Sequence, residues 1–149
     1  MSDPVHERVM RTMADVISNG DWERFGEVFH DDGILEYPQS REVFRGLANI
    51  TGQFASYPEL GTGTGTGTSE LHEIIGATTY AMTPSYTVIA VKGSGDHGTA
   101  VVRVQYPDGS WWWVLNLYEL DGERIRRSRA YFAPDFEAPD WRAPYREPL

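Results

Sequence analysis

Residues 99–120 read TAVVRVQYPDGSWWWVLNLYEL, and this stretch decides the fold. Two β-branched and aromatic runs, Thr99 to Tyr106 and Trp111 to Leu120, flank Pro107-Asp108-Gly109-Ser110. That is the composition of an antiparallel hairpin. A loop over 107–110 sets Tyr106 opposite Trp111, Gln105 opposite Trp112, Arg103 opposite Val114 and Val101 opposite Asn116. Side chains directly opposite share a face of the sheet. One face then carries Val101, Arg103, Gln105, Trp112, Val114, Asn116 and Tyr118, mixing apolar groups with an arginine, two amides and a phenol. The other carries Val102, Val104, Tyr106, Trp111, Trp113, Leu115, Leu117 and Glu119, and is almost wholly apolar. A ligand pocket is mostly apolar with a few placed polar groups, which describes the first face. Periodicity also allows the reverse, with the apolar face packed inside and the polar face in water.

More strands flank this hairpin. Tyr86 to Val91 precedes it, and Ile125 to Phe132 follows through Asp121-Gly122. A two-residue turn there sets Arg127 and Arg129 beside Asn116. A three-residue turn sets Arg126, Ser128 and Ala130 there instead. Leu71 to Ile75 and Thr78 to Met82 suggest a smaller hairpin, and Ile34 to Tyr37 a short strand closed by Pro38. The first half is helical. Val5, Val9, Met13, Val16 and Ile17 form one apolar stripe, with Asp3-Pro4 before it and Asn19-Gly20 after it. These are start and stop signals for a helix over 5–18. Asp21 opens a second, short helix carrying Trp22, Phe25 and Phe29 on one side. Gly46 opens a third, with Leu47, Ile50, Phe54 and Tyr57 on one face and Pro58 at its end. Asp31-Asp32-Gly33 reads as a turn. Residues 61–68 are four Gly-Thr pairs, read as a flexible loop. A proline-rich tail over 133–149 reads as extended over the surface. Helices followed by an antiparallel meander make an α+β plan, one domain over 1–149. If the sheet curls around the helices, a pocket lies between them.

Composition narrows the chemistry. The chain has 149 residues, no cysteine, and a formal charge of −9. An acidic surface repels phosphate backbones, so no nucleic-acid partner is expected. Without cysteine there is no disulfide, thiolate nucleophile or Cys-bound metal. The four histidines show no paired spacing, so no metal site and no cofactor are expected. No apolar run reaches membrane-span length, and the first ten residues lack a basic-then-apolar signal. The expectation is a cytoplasmic protein with no membrane partner.

Several short motifs carry a resemblance. Asn19-Gly20-Asp21, Asp31-Asp32-Gly33, Glu36-Tyr37-Pro38-Gln39-Ser40, Arg45-Gly46 and Tyr131-Phe132-Ala133, in this order of elements, resemble the nuclear transport factor 2-like superfamily. That group includes SnoaL-like polyketide cyclases, ketosteroid isomerases and limonene-epoxide hydrolases. Phe136-Glu137-Ala138-Pro139 with Trp141-Arg142 is similar to the tail of a bacterial subgroup. The resemblance implies a cone: a curved antiparallel sheet wrapped around three N-terminal helices, dimerised through its outer face. It implies that the face with Arg103 and Asn116 is the interior. Trp111, Trp113, Leu115 and Leu117 would then meet the partner of a homodimer. It also places the isomerases' general base on Tyr37, their tyrosine donor near Met13 and their protonated aspartate on Asn116. The epoxide hydrolases' Arg-x-Asp falls on Arg103-Val104-Gln105, and their second aspartate on Ala130. An amide takes no proton, so neither mechanism carries over whole.

The candidate residues follow. Arg103 can hold a carboxylate or polarise a carbonyl or epoxide oxygen. Its competing role is an ion pair with Glu36 or another acid. Asn116 and Gln105 can place a water or a substrate oxygen. Tyr37 and Tyr118 can donate to a developing oxyanion, and Trp112 can stack on a planar ligand. Phe54, Val101 and Val114 supply apolar wall, although Trp112 and Phe54 could also plug the pocket. Glu36 or His72 is the candidate proton acceptor; Glu36 alternates with Tyr37, so one strand cannot point both inward without a bulge. His6, His30 and His97 read as terminus, helix-end and loop residues. Arg124, Arg126, Arg127 and Arg129 read as partners for acids on neighbouring strands. The function this suggests is a cofactor-free isomerase, cyclase or hydrolase acting on an apolar oxygenated molecule. The alternative is a ligand-binding or dimerisation module without chemistry.

Overall fold

The computed structural model describes residues 3–56, 86–105 and 110–149. The Gly-Thr run, the hairpin expected within 71–82, His72 and Pro107 to Gly109 of the turn lie outside the described residues.

Helix α1 spans Pro4–Asn19 and ends at Gly20, whose φ of 68° is the left-handed conformation that glycine adopts without strain. Asp3 does not cap it through its side chain. Its Oδ2 accepts from the Gly95 amide at 2.9 Å, tying the helix start to a strand turn. The second helix is a 3-10 turn over Trp22–Glu27, with Phe25 fully buried. Strand β1 then runs from Phe29 to Tyr37, so Asp31-Asp32-Gly33 does not end an element. It makes a bulge, where the pairing with the neighbouring strand jumps between Phe29 and Ile34. Strand β2 (Glu42–Arg45) is a short charged edge that the sequence reading did not assign. Helix α2 covers Leu47–Ala55. The remaining strands are β3 (Tyr86–Ser94), β4 (His97–Gln105), β5 (Trp111–Asp121) and β6 (Arg124–Pro134). A 3-10 turn, Asp140–Tyr145, lies in the tail.

The strands form one curved, open sheet in the order β2-β1-β6-β5-β4-β3. The architecture is α+β, with the helices N-terminal, as the sequence implies. The sheet is mixed rather than wholly antiparallel, because β1 and β6 run parallel. Its inner face shares one core with the apolar stripe of α1, to which Met10, Val16 and Ile17 contribute from the helix and Val91, Ala100 and Val102 from the sheet.

The central hairpin differs from expectation by one residue. Gln105 pairs with Trp111, Arg103 with Trp113, Val101 with Leu115 and Ala100 with Asn116. The connection is therefore five residues long, not four. Since side chains alternate, one added residue turns all of β4 over relative to β5. Trp112, Val114, Asn116 and Tyr118 still face inward, now beside Val104, Val102, Ala100 and Gly98. Val101, Arg103 and Gln105 share the outer face with Trp111, Trp113, Leu115 and Leu117.

At the next hairpin Asp121 pairs with Arg124, and Gly122 adopts φ 64°. A bulge follows: Leu120 pairs with Ile125, but Glu119 pairs with Arg127. Arg126 is the extra residue. Ser128 and Ala130 consequently face inward beside Tyr118 and Asn116, while Arg127 and Arg129 face out. The β6 strand continues through Pro134, so the tail begins at Asp135 rather than Ala133.

Candidate functional site: the cavity between sheet and helices

A cavity of about 40 Å3 lies where α1, α2 and the inner face of the sheet converge. Met13 and Ile17 enter from α1, Leu35 and Tyr37 from β1, and Phe54 from α2. Val104, Val114, Asn116, Ala130 and Phe132 close it from the sheet. Strand alternation explains each strand contribution. Leu35 and Tyr37 are two apart on β1, Val114 and Asn116 on β5, and Ala130 and Phe132 on β6. Phe54 is held by stacking on Phe25, with ring centroids 5.2 Å apart, and on Trp22 at 6.5 Å. Tyr37 is wedged edge-on between Phe44 and Phe132.

Among the described residues, Asn116 is the one amide in this wall. It is 2% exposed, and its Nδ2 has no hydrogen-bond partner in the described structure. A buried amide donor without an acceptor costs about 1–3 kcal/mol. Such a group in a cavity can donate to an acceptor oxygen on a guest. It can polarise a carbonyl, and it can neither accept nor release a proton in acid–base exchange.

The other sequence-derived candidates fall into three places. Tyr37, Phe54 and Val114 line the cavity with Asn116. Tyr118 and Trp112 face inward but lie away from its lining. The Trp112 indole donates to Ser110 Oγ at 3.0 Å. The Tyr118 hydroxyl meets His6 Nδ1 at 3.0 Å, and burial pushes the phenol's pKa up. Arg103, Gln105, Val101 and Glu36 do not reach the cavity.

Arg103 is buried all the same. Its guanidinium lies over the rings of Trp111 and Trp113, 5.1 and 4.6 Å from their centroids. Both terminal nitrogens donate to Asp135, at 2.6 Å each. The pair holds the Asp135 carboxyl below the usual carboxylate range. The arginine is therefore a clamp between the outer sheet face and the tail, not an interior electrophile. Glu36 is also committed. It faces outward between Arg127 and Arg129, accepting from Arg129 Nε at 2.7 Å and from both Nε and Nη2 of Arg127. Hydrogen bonds from the two guanidinium groups lower its pKa, which makes it a poor base at neutral pH.

The sequence reading missed His6. It is fully buried, joining Tyr118 through Nδ1 and the Gly95 carbonyl through Nε2 at 2.9 Å. The signal was present, because position 6 lies on the same helical stripe as Val9, Met10 and Met13. Two glycines make room for it: a Cβ at Gly93 would collide with the imidazole, and one at Gly98 with Tyr118 and His6. Among the described residues, no group of three or more His, Asp or Glu side chains could hold a metal ion. No described helix is long and apolar enough to cross a membrane.

A curved sheet wrapped on N-terminal helices, with an apolar cavity between them, defines a small class of proteins. The SnoaL-like domain model matches residues 10–128, and the chain belongs to that family. Solved structures of the same fold agree. An NTF-2 like protein of unknown function from Burkholderia xenovorans superposes with a TM-score of 0.72 at 18% identity, covering 98% of this chain and 96% of that one. A candidate ketosteroid isomerase from Kribbella flavida gives 0.71 at 18% identity, covering 98% and 90%. An epoxide hydrolase of the limonene-epoxide-hydrolase-like type from M. tuberculosis gives 0.58 at 14% identity, covering 87% and 83%. At these identities the likeness is one of fold. No curated protein matches the chain.

Proposed function

We propose that this chain binds a small apolar molecule through a single acceptor oxygen, held by the Asn116 amide. The observation that carries this is the buried, unpartnered Nδ2 in a cavity wall whose other described residues are apolar or aromatic. A ketone or a similarly polarised oxygen satisfies that donor; the cavity of about 40 Å3 takes the oxygen end, and the aromatic and aliphatic wall must part to admit the carbon frame. A charged guest is disfavoured, because no ionised side chain among the described lining residues would offset its desolvation.

The test compares cyclohexanone with methylenecyclohexane, which has nearly the same shape and no oxygen. Binding is followed by NMR line broadening of the guest and by the shift in melting temperature. Saturable binding of the ketone, at least tenfold tighter than that of the hydrocarbon, supports the reading. Equal affinities, or binding unchanged in Asn116→Leu, defeat it.

A second reading adds catalysis. Tyr37 and Asn116 line one cavity, at the positions where the resemblance to ketosteroid isomerases sets a base and a proton-donating acid. In that reading the chain is a cofactor-free isomerase or cyclase for polyketide- or terpenoid-like ketones. Asn116 stabilises the developing enolate, and His72 is the candidate proton acceptor. Conversion of 3-cyclohexenone to its conjugated isomer, lost in His72→Ala, supports it; binding without turnover of such ketones leaves the first reading alone.

A further inference from the structure

A wall of the cavity must part to admit a guest, and the walls are not equally firm. Among the described lining residues, all but Tyr37, Phe54 and Phe132 are at most 4% exposed, and those three are half-buried. Elsewhere the lining is α1 or the middle of the sheet, and parting it opens the core. Phe54 is anchored from behind. Its ring stacks on the fully buried Phe25, and Ile50, one turn earlier on α2, is fully buried too. Tyr37 and Phe132 rest instead on each other, edge-on at 5.0 Å, with Tyr37 also against half-buried Phe44 of the edge strand.

Main-chain pairing changes at the same place. The ladder between β1 and β6 ends at Glu36 with Arg129. Tyr37 is followed by Pro38, which has no amide hydrogen to continue it. The side chain of Gln39 takes over. Its Nε2 donates to the Phe132 carbonyl at 2.8 Å, and the Phe132 amide donates to its Oε1 at 2.6 Å. Gln39 and Phe132 are as far apart in sequence as Glu36 and Arg129, so the side-chain amide meets the residue that a continued β1 would have met. On its other side Phe132 stays paired with Val114 of β5.

The turn that presents Gln39 is closed locally. Ser40 Oγ donates to the Tyr37 carbonyl at 3.4 Å, and the Arg41 amide donates to the Pro38 carbonyl at 3.3 Å. Arg41 takes a left-handed φ of 61°, which a side chain seldom adopts. The motif over residues 36–40 thus ends one ladder and bridges the gap beyond it.

We infer that Gln39 is a positioning residue that latches this wall: a guest passes between Tyr37 and Phe132 when the two bonds from Gln39 to the Phe132 backbone break. The inference rests on that part of the proposed function in which the cavity admits a guest. Gln39 is exposed and is not among the lining residues. Water competes for both of its bonds, so they open without unfolding the core. A latch acts on passage rather than on the closed complex. Entry and exit use the same open state, so loosening the latch speeds both by one factor and leaves affinity alone. A residue that only shaped the wall would change affinity instead.

Xenon is the probe, because it enters apolar cavities and needs no hydrogen-bond donor. Its entry and exit rates are read by xenon NMR exchange in the wild type and in Gln39→Met, which keeps the side chain's length and removes both bonds. Both rates should rise roughly 5–30-fold in the variant, with the dissociation constant unchanged within about twofold and the far-ultraviolet spectrum unaltered. Equal rates in the two proteins, a changed dissociation constant with an unchanged entry rate, or a folded wild type that takes up no xenon would each overturn the inference. The role of Asn116 fails separately. Faster xenon exchange in Gln39→Met, with ketone and hydrocarbon bound equally by the wild type, keeps the latch and removes the amide's part.

Discussion

Replacing Asn116 with leucine should make the free protein more stable while destroying the binding site. The side chain is 2% exposed and its Nδ2 has no partner, so the folded state carries a desolvated donor that the unfolded state hydrates. That imbalance is worth about 1–3 kcal/mol. Leucine has a similar volume, and Met13, Ile17, Val104, Val114 and Ala130 around the cavity suit it. Some of the gain is lost to imperfect packing, leaving about 1–2 kcal/mol of added stability. For a domain of this length, that raises the melting temperature by roughly 3–6 °C. Urea unfolding with an unchanged m-value is the direct assay, since it separates stability from compactness. Asn116→Asp gives the opposite sign with pH. Burial raises the carboxyl's folded pKa above its unfolded value near about 4. Its ionisation is then penalised, and the variant loses stability as pH rises above the unfolded value. A leucine variant destabilised by more than about 1 kcal/mol, with m unchanged, would mean that the amide already makes a satisfied structural bond. The guest-binding argument would fall with it.

The remaining predictions concern the residues that the one-residue shift relocates and the buried histidine. Arg103→Met should cost about 1–3 kcal/mol of stability, from two charge-assisted hydrogen bonds and two cation–π contacts. It should leave ketone binding unchanged, because the guanidinium never reaches the cavity; loss of binding in a folded variant would refute the clamp assignment. Asp135's folded pKa is depressed. Its contribution is therefore complete above the unfolded carboxylate value and is lost as pH falls through the lower folded value. Asp135→Asn should remove that part of the acid unfolding profile, and in Arg103→Met it should change nothing further. Gly98→Ala should cost about 2–3 kcal/mol, since the added methyl must displace the Tyr118 ring and the imidazole together. A neutral Gly98→Ala would show that this His6–Tyr118 packing does not constrain the strand.

The fold was legible because its signals are local and agree with one another. The α1 stripe, Gly20, the hairpin runs and the inward set Trp112, Val114, Asn116 and Tyr118 need no knowledge of distant contacts. The site was less legible because it depends on register. Counting back from Tyr106 and Trp111 assumes a loop length, and composition does not settle whether four or five residues connect two strands. That one residue carried Arg103 and Gln105 out of the pocket. The same dependence hid β2, a stretch the sequence reading left unassigned, and the bulge at Arg126. His6 was missed for another reason. A polar residue on an apolar stripe near a terminus reads as fraying until its partners, Tyr118 and Gly95, are known from the far end of the chain.

The corrected register changes the chemistry more than the fold. With Arg103 and Gln105 inside, the pocket would hold a permanent cation and suit an anion or an epoxide. With both outside, the lining among the described residues is apolar except for Asn116 and the Tyr37 hydroxyl. An apolar wall discriminates weakly, because one methylene more or less changes affinity by only about 10–200-fold. A buried donor discriminates strongly against a guest that lacks an acceptor, since it is then left unpaired. On the proposed reading, selectivity resides in one amide rather than in a charge pair, and it selects for an oxygen atom more than for a carbon skeleton. A family scaffold whose relatives differ in activity can keep its cone and its wall while exchanging the residue at this position. Aspartic acid would make a proton-donating acid there, and asparagine makes a donor with no proton to give. That is why Asn116, two residues from the buried Tyr118–His6 pair, is the position on which the proposed binding turns.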